Sequence, residues 1–137
     1  MDSLLDTNVI SQRTKATPNV GVVRWLSQTP SSEMYLSVIS LAEIRFGIEE
    51  MDPGQKRQNL EYWLEQDVHQ GFAGRVLDVD ERIAEEAGRL TSIGKKVGSR
   101  PDFADALIAA TARVYGLRLV TLNWFHFKDL GVELVKF

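Results

Sequence analysis

The chain has no cysteine and only two histidines in 137 residues, which removes disulfides, thiolate metal sites and the usual zinc ligand sets. Any metal bound here is expected to be held mainly by oxygen. Proline is scarce, at four residues, and no tract is rich in proline and glycine, so nothing marks a linker or a segment that resists collapse. The opening Met1 to Asp6 is acidic and carries no basic segment followed by an apolar run. No stretch is apolar over the length that spans a bilayer, so a cytoplasmic protein without membrane contact is expected. An excess of positive charge is also missing. The net charge of −3 argues against coating nucleic acid through a global field. It leaves room for an enzyme with a local basic rim, for which Lys95, Lys96, Arg100, Arg113 and Arg118 are candidates, although each reads equally well as solvated surface.

What is present is the composition of a folded protein, 44% hydrophobic and 26% charged, at a length that suits a single domain over residues 1–137. Apolar runs alternate with helix-start signals along the whole chain, the pattern of a parallel sheet covered by helices. Ser3 to Asp6 reads as a short buried strand. Thr17-Pro18 reads as an N-cap followed by proline in the first turn, opening a helix through Val22, Val23, Trp25 and Leu26. Met34 to Val38 is a second strand, followed by a helix whose Leu41, Ile44, Phe46 and Ile48 are expected to form its buried stripe. Asp52-Pro53 is expected to start another helix, running through Leu60, Trp63 and Leu64. Val76 to Val79 is a third strand, and Asp80 caps the amphipathic segment Ile83, Ala87, Leu90, Ile93. Asp102 caps a helix through Ala106, Leu107, Ala109 and Ala110. Leu119 to Thr121 is a fourth strand and Val132 to Val135 a fifth, at the edge.

Parallel strands with right-handed crossovers place their strand-to-helix turns on one side of the sheet, where ligands bind. Three acids fall at that edge: Asp6 at the end of the first strand, Glu43 in the first turn after the second, and Asp105 in the first turn of the helix opened by Asp102. Like charges gathered together either trap protons or bind a cation. Hard oxygen donors without cysteine or histidine select Mg²⁺ or Mn²⁺, and Mg²⁺ commonly pairs carboxylates with a substrate phosphate. Each acid also has a purely structural reading. Ser40-x-x-Glu43 fits a capping box, Asp105 suits a helix dipole, and Asp6 could cap the next turn. Thr7 and Asn8 either fix Asp6 or simply build that turn. His69 reads as surface, and His126 as a packed or partly exposed ring rather than a base.

The segments Leu-Leu-Asp-Thr-Asn-Val-Ile-Ser at 4–11, Ser-Val-Ile-Ser-Leu-Ala-Glu-Ile-Arg-Phe-Gly-Ile at 37–48, Asp-Ala-Leu-Ile-Ala-Ala-Thr-Ala at 105–112 and Leu-Val-Thr-Leu-Asn at 119–123 together resemble the PIN domains, in particular the VapC and FitB-like toxins. The resemblance implies a three-layer α/β fold with a central parallel sheet of four or five strands flanked by helices. It also implies a dimer, an antitoxin partner, and a metal-dependent endoribonuclease acting on RNA, tRNA among the candidates. Asp6, Glu43 and Asp105 match the family's catalytic and metal-binding acids, with Thr7, Asn8, Thr121 and Asn123 in supporting positions. The usual chemistry of the family activates water for in-line attack at phosphorus, with Mg²⁺ or Mn²⁺ as cofactor. The antitoxin commonly lays a segment across the acidic groove.

One departure stands out. Family members carry an Asp at or shortly after the place of Asn123, and this chain reads Thr-Leu-Asn-Trp-Phe-His-Phe, so a weaker second metal site is expected. Asn123 offers only a neutral carbonyl oxygen. Trp124, Phe125 and Phe127 are expected either to form a partner surface or to pack beneath the sheet edge. The alternative to the enzyme is a catalytically weakened PIN-fold binding or regulatory module. A haloacid-dehalogenase-like phosphatase would want an Asp where Asn8 stands.

Overall fold

The computed structural model describes residues 1–99 and 101–137. Among the described residues, five strands form one sheet: β1 (Ser3–Leu5), β2 (Met34–Ser37), β3 (Val76–Leu77), β4 (Arg118–Val120) and β5 (Leu134–Val135). Their order is β3-β2-β1-β4-β5 and every pairing is parallel. β1 is therefore central. The chain first winds outward through β2 and β3, then returns to the other side of β1 for β4 and β5. Such a reversal opens a crevice at the carboxyl ends of β1 and β4.

Alternation along β1 sends neighbouring side chains to opposite faces, and the two cores follow from it. Leu4 packs with Ile83, Leu90, Ile108, Leu119 and Phe127 on one face, while Leu5 packs with Val9, Ile10, Val22, Leu36, Ile48 and Val68 on the other. The first face is covered by α5 (Glu81–Lys96) and α6 (Phe103–Tyr115), the second by α2 (Val20–Gln28) and α3 (Val38–Glu49). A sheet between two helical layers is the expected architecture. Asp80 and Asp102 cap α5 and α6 as read, accepting from the Ile83 and Asp105 amides at 2.9 Å and 2.7 Å. Gly116 ends α6 in the left-handed region, at φ 66°, where a Cβ would be strained.

Other expectations need correction. Helix α2 begins at Val20 with Asn19 as its N-cap, not at Thr17-Pro18, because the Asn19 amide oxygen reaches the Val22 amide at 3.0 Å. Helix α4 (Gln55–Trp63) begins after Gly54 rather than at Asp52-Pro53. Gly54 holds φ 157° and ψ −175°, an extended backbone outside the helical region, so the helix starts only after it. The buried stripe of α3 is Ser40, Ile44 and Ile48, spaced four apart, and Phe46 points away from it, 65% exposed. Likewise α5 buries Gly94 and leaves Ile93 exposed. A π-helical segment, Leu64–Gln70, extends α4 and supplies Leu64 and Val68 to the core. Each of the first four strands is shorter than read at its carboxyl end, in two cases because the next residue or the strand's last one, Asp6 and Ser37, already serves as the N-cap of a helix.

Candidate active site at the carboxyl edge of the sheet

Asp6 follows β1 directly and caps α1 (Thr7–Ile10), so its position is set by the central strand. Its Oδ1 accepts from the Thr7 amide at 2.8 Å, and its Oδ2 accepts from Thr121 Oγ1 at 2.8 Å. Thr121 is fully buried just past β4, and its hydroxyl oxygen also accepts from the Asn123 amide at 2.9 Å. The Asp6 amide donates to Val120 O, which fastens the two strand ends together. Only 6% of Asp6 is exposed. Burial raises its pKa above the ordinary carboxylate value, the bonds from Thr121 and Thr7 pull it back, and the Glu43 charge pushes it up again.

Glu43 stands in the second turn of α3, not the first, because Ser37 is the cap and accepts from the Ile39 amide. The Ser40 and Glu43 capping box therefore does not form. Both residues turn toward Thr7 instead, whose Oγ1 lies 2.7 Å from Glu43 Oε1 and 2.8 Å from Ser40 Oγ. With one proton on its hydroxyl, Thr7 donates to the carboxylate and accepts from Ser40. Thr7 thus links the Asp6 cap to the Glu43 side chain, a role beyond building a turn. Asn8 ties α1 to the other strand end, its Oδ1 accepting from the Leu122 amide at 3.3 Å.

Asp105 lies in the first turn of α6, one turn after its cap Asp102. Burial, then the charges of Asp102 and Asp6, push its pKa up to about 6, against a lowering influence of His126. His126 Nδ1 sits 3.3 Å from Asp105 Oδ2, on α7 (Trp124–Phe127). Asp102→Asn keeps the capping carbonyl while removing a like charge. We expect Asp105 to titrate lower in that variant, as followed by carboxyl carbon NMR, with the helix cap intact.

The three acids thus share one edge, with Asp6 flanked by Glu43 and Asp105. They are not drawn into a single cage: among the described residues no group of three or more His, Asp or Glu side chains is close enough to form a ready-made metal site. Asp6 spends both oxygens on Thr7 and Thr121, Glu43 leans on Thr7, and Asp105 faces His126. Asn123 is exposed and makes no side-chain cap bond; its carbonyl accepts from the His126 amide. His126, read from the sequence as a packed or partly exposed ring rather than a base, is exposed and faces Asp105, a contact that the sequence did not disclose.

The basic rim is smaller than the sequence suggests. Arg118 starts β4 at the opposite end and donates to Ser3 Oγ, and Arg113 is spent on Gly131 O and Glu86. Lys95 and Lys96 are exposed in the last turn of α5, near the start of α6, and Arg100 lies outside the described residues. His69 is exposed, as read. No helix among the described residues is long and apolar enough to cross a membrane.

A model of the PIN domain matches residues 3–131. Among curated proteins, the toxin FitB of Neisseria gonorrhoeae is 41% identical over 118 residues, covering 86% of this chain and 85% of that protein. A VapC ribonuclease of Sinorhizobium fredii is 36% identical over 132 residues, covering 96% and 94%. Among solved structures, FitAB bound to the IR36 DNA fragment superposes with a TM-score of 0.91 at 36% identity, covering 97% of this chain and 93% of that one. DNA-bound VapBC from Salmonella typhimurium superposes at 0.77 and 27% identity, covering 99% and 98%. With the family model spanning nearly the whole sequence and two curated relatives more than 30% identical over most of it, the chain belongs to the PIN-domain family, alongside the FitB and VapC proteins.

Proposed function

We propose that this chain is a divalent-metal-dependent endoribonuclease and the toxin half of a VapBC-type pair. The observation that carries the reading is the placing of Asp6, Glu43 and Asp105, from three separate elements, along the carboxyl edge of the sheet, with the pKa of both aspartates raised. Partly buried like charges at one edge are costly to ionise, and a hard cation offsets that cost. The donors fit Mg²⁺ or Mn²⁺: all are carboxylate oxygens, and no thiol competes. Asp6, Asp105 and Glu43 would hold the ion. When bound, it polarises the phosphoryl group and lowers the pKa of water for attack at phosphorus. Thr121 and Thr7 hold Asp6 in one rotamer, and Thr7 holds Glu43, so the acids are oriented before substrate arrives. No side chain of the cluster needs to be the nucleophile.

Relatives solved as FitAB and VapBC complexes support a cognate antitoxin as partner, and the acidic crevice suits a basic side chain from it. Self-association is the other contact we assign. An open apolar hollow bordering Glu43 is lined by Ile39, Ala42, Phe46, Ala104 and Leu107, with Phe103 also exposed nearby on α6. Phe46→Glu is expected to convert a dimer to a monomer in sedimentation; an unchanged species would refute that face. The binding-module reading has one observation in its favour, a histidine rather than a carboxylate facing Asp105. Purified protein free of antitoxin, incubated with total RNA and tRNA, separates the two. Cleavage with Mg²⁺ or Mn²⁺ that chelator abolishes supports the enzyme, and folded protein inert with either metal supports the module.

A further inference from the structure

Helix α7 presents side chains that the carboxylate site does not use. Phe127 is fully buried, but Phe125 is 60% exposed and Trp124 is partly exposed. Their rings meet edge to face, with centroids 5.9 Å apart and planes at 76°. Two ammonium groups lie over them: Lys128 Nζ is 4.3 Å from the Phe125 centroid, and Lys136 Nζ is 4.5 Å from the Trp124 centroid. The same turn carries His126, which touches Asp105, so this aromatic and cationic surface adjoins the acids.

A phenylalanine left in water forgoes the stabilisation that burying its ring would bring. The core takes Phe127 from this turn and leaves its neighbour outside. Ring faces interleaved with cations are what a single-stranded nucleic acid needs, since bases stack on the rings and phosphates meet the ammonium groups. A duplex keeps its base faces covered. The chain as a whole is negative, so attraction for phosphate must come from local cations such as these.

We propose that Trp124, Phe125, Lys128 and Lys136 form a stacking platform for an unpaired stretch of RNA next to the scissile phosphate, an assignment that rests on the nuclease reading. The lysine stems are long enough to move from ring to phosphate without a change in the backbone. A base then takes the ring face, and the strand runs past His126 toward Asp105. Substrates with unpaired nucleotides beside the cleavage point are selected over paired ones.

The test measures anisotropy of a labelled oligouridylate of about eight nucleotides, a length within the usual site size for single strands. A duplex of the same length serves as control, and chelator keeps cleavage off. Phe125→Ala is expected to weaken single-strand binding about 10-fold, the value of one stacked base, while Phe125→Tyr keeps it. Lys128→Glu is expected to flatten the salt dependence. Phe125 is exposed, so the variants are expected to fold, which circular dichroism checks. Wild-type protein that binds neither probe, binds duplex as tightly as single strand, or is matched by Phe125→Ala overturns the platform. Cleavage of a longer unmodified RNA with Mg²⁺ is followed in parallel. If wild type cleaves and Phe125→Ala leaves KM and kcat unchanged, the platform fails and the nuclease stands. If binding depends on Phe125 and wild type cleaves nothing, the nuclease fails while the platform stands as an RNA surface.

Discussion

Asp105→Asn should reduce metal-dependent RNA cleavage by about 1,000-fold or more, and at the same time make the metal-free protein harder to unfold. The loss follows if this carboxylate helps hold a cation worth several kcal/mol to the transition state, since each 1.36 kcal/mol is tenfold in rate. The gain follows from the same charge. Asp105 has its pKa raised from 3.8 to about 6 by burial and by the charges of Asp102 and Asp6, so the folded state disfavours its ionised form. At a side chain 19% exposed, solvent screening leaves about 1–2 kcal/mol of that cost at pH 7. For a chain of this size the asparagine variant should melt about 4–8 °C higher. The sign fixes the pH dependence. A carboxyl whose folded pKa is raised stabilises the fold while protonated, so this contribution is lost as pH rises from about 4 through about 6. Asp6 acts in the same direction. Thermal melts in chelator across that window should therefore fall in wild type and fall less steeply in Asp105→Asn, where only the Asp6 contribution remains. A variant that melts lower than wild type would show that the Asp105 charge supports the fold.

Thr121→Val should cost about 10–100-fold in activity or metal affinity, although the residue touches no substrate. The Thr121 hydroxyl donates to Asp6 Oδ2 and accepts from the Asn123 amide, and the whole side chain is buried. Valine fills the same volume but leaves both partners without a bond, at about 1–3 kcal/mol for each group that stays buried. It also removes an interaction that lowers the Asp6 pKa, so that carboxyl should titrate higher in the variant. Thr121→Ser should restore most of the activity, because the hydroxyl alone carries the role. If valine and serine variants are equally active, Thr121 merely fills space.

The main line of the fold was legible in the sequence because its signals are local. Asp80 and Asp102 stand at helix starts, and the apolar pairs at 4–5 and 119–120 fall in the central strands. The three acids could be placed at one edge because each lies at or just past a strand end or in the first turns of a helix. What escaped the sequence depends on contacts between elements. Ser40-x-x-Glu43 has the spacing of a capping box, yet Ser37 takes the cap and Thr7, more than thirty residues away, claims both side chains. Phe46 fits a helical stripe by composition but not by angle, since Ser40, Ile44 and Ile48 share the buried face. Phe127 packs into the core while Phe125 does not, a choice decided by the phase of a single turn. His126 read as a ring among aromatics until the end of β4 placed it against Asp105.

The central claim is that these carboxylates act together as a cation site. Calorimetric titration of the antitoxin-free protein with Mn²⁺ at pH 7.5, for wild type and Asp6→Asn, addresses it most directly. Asparagine keeps the oxygen that accepts from Thr7 and removes one charge at nearly constant shape. Saturable binding to wild type that is weakened at least tenfold in Asp6→Asn, with both proteins equally folded, is the result expected. Equal binding to the two proteins, or none to folded wild type, would contradict it.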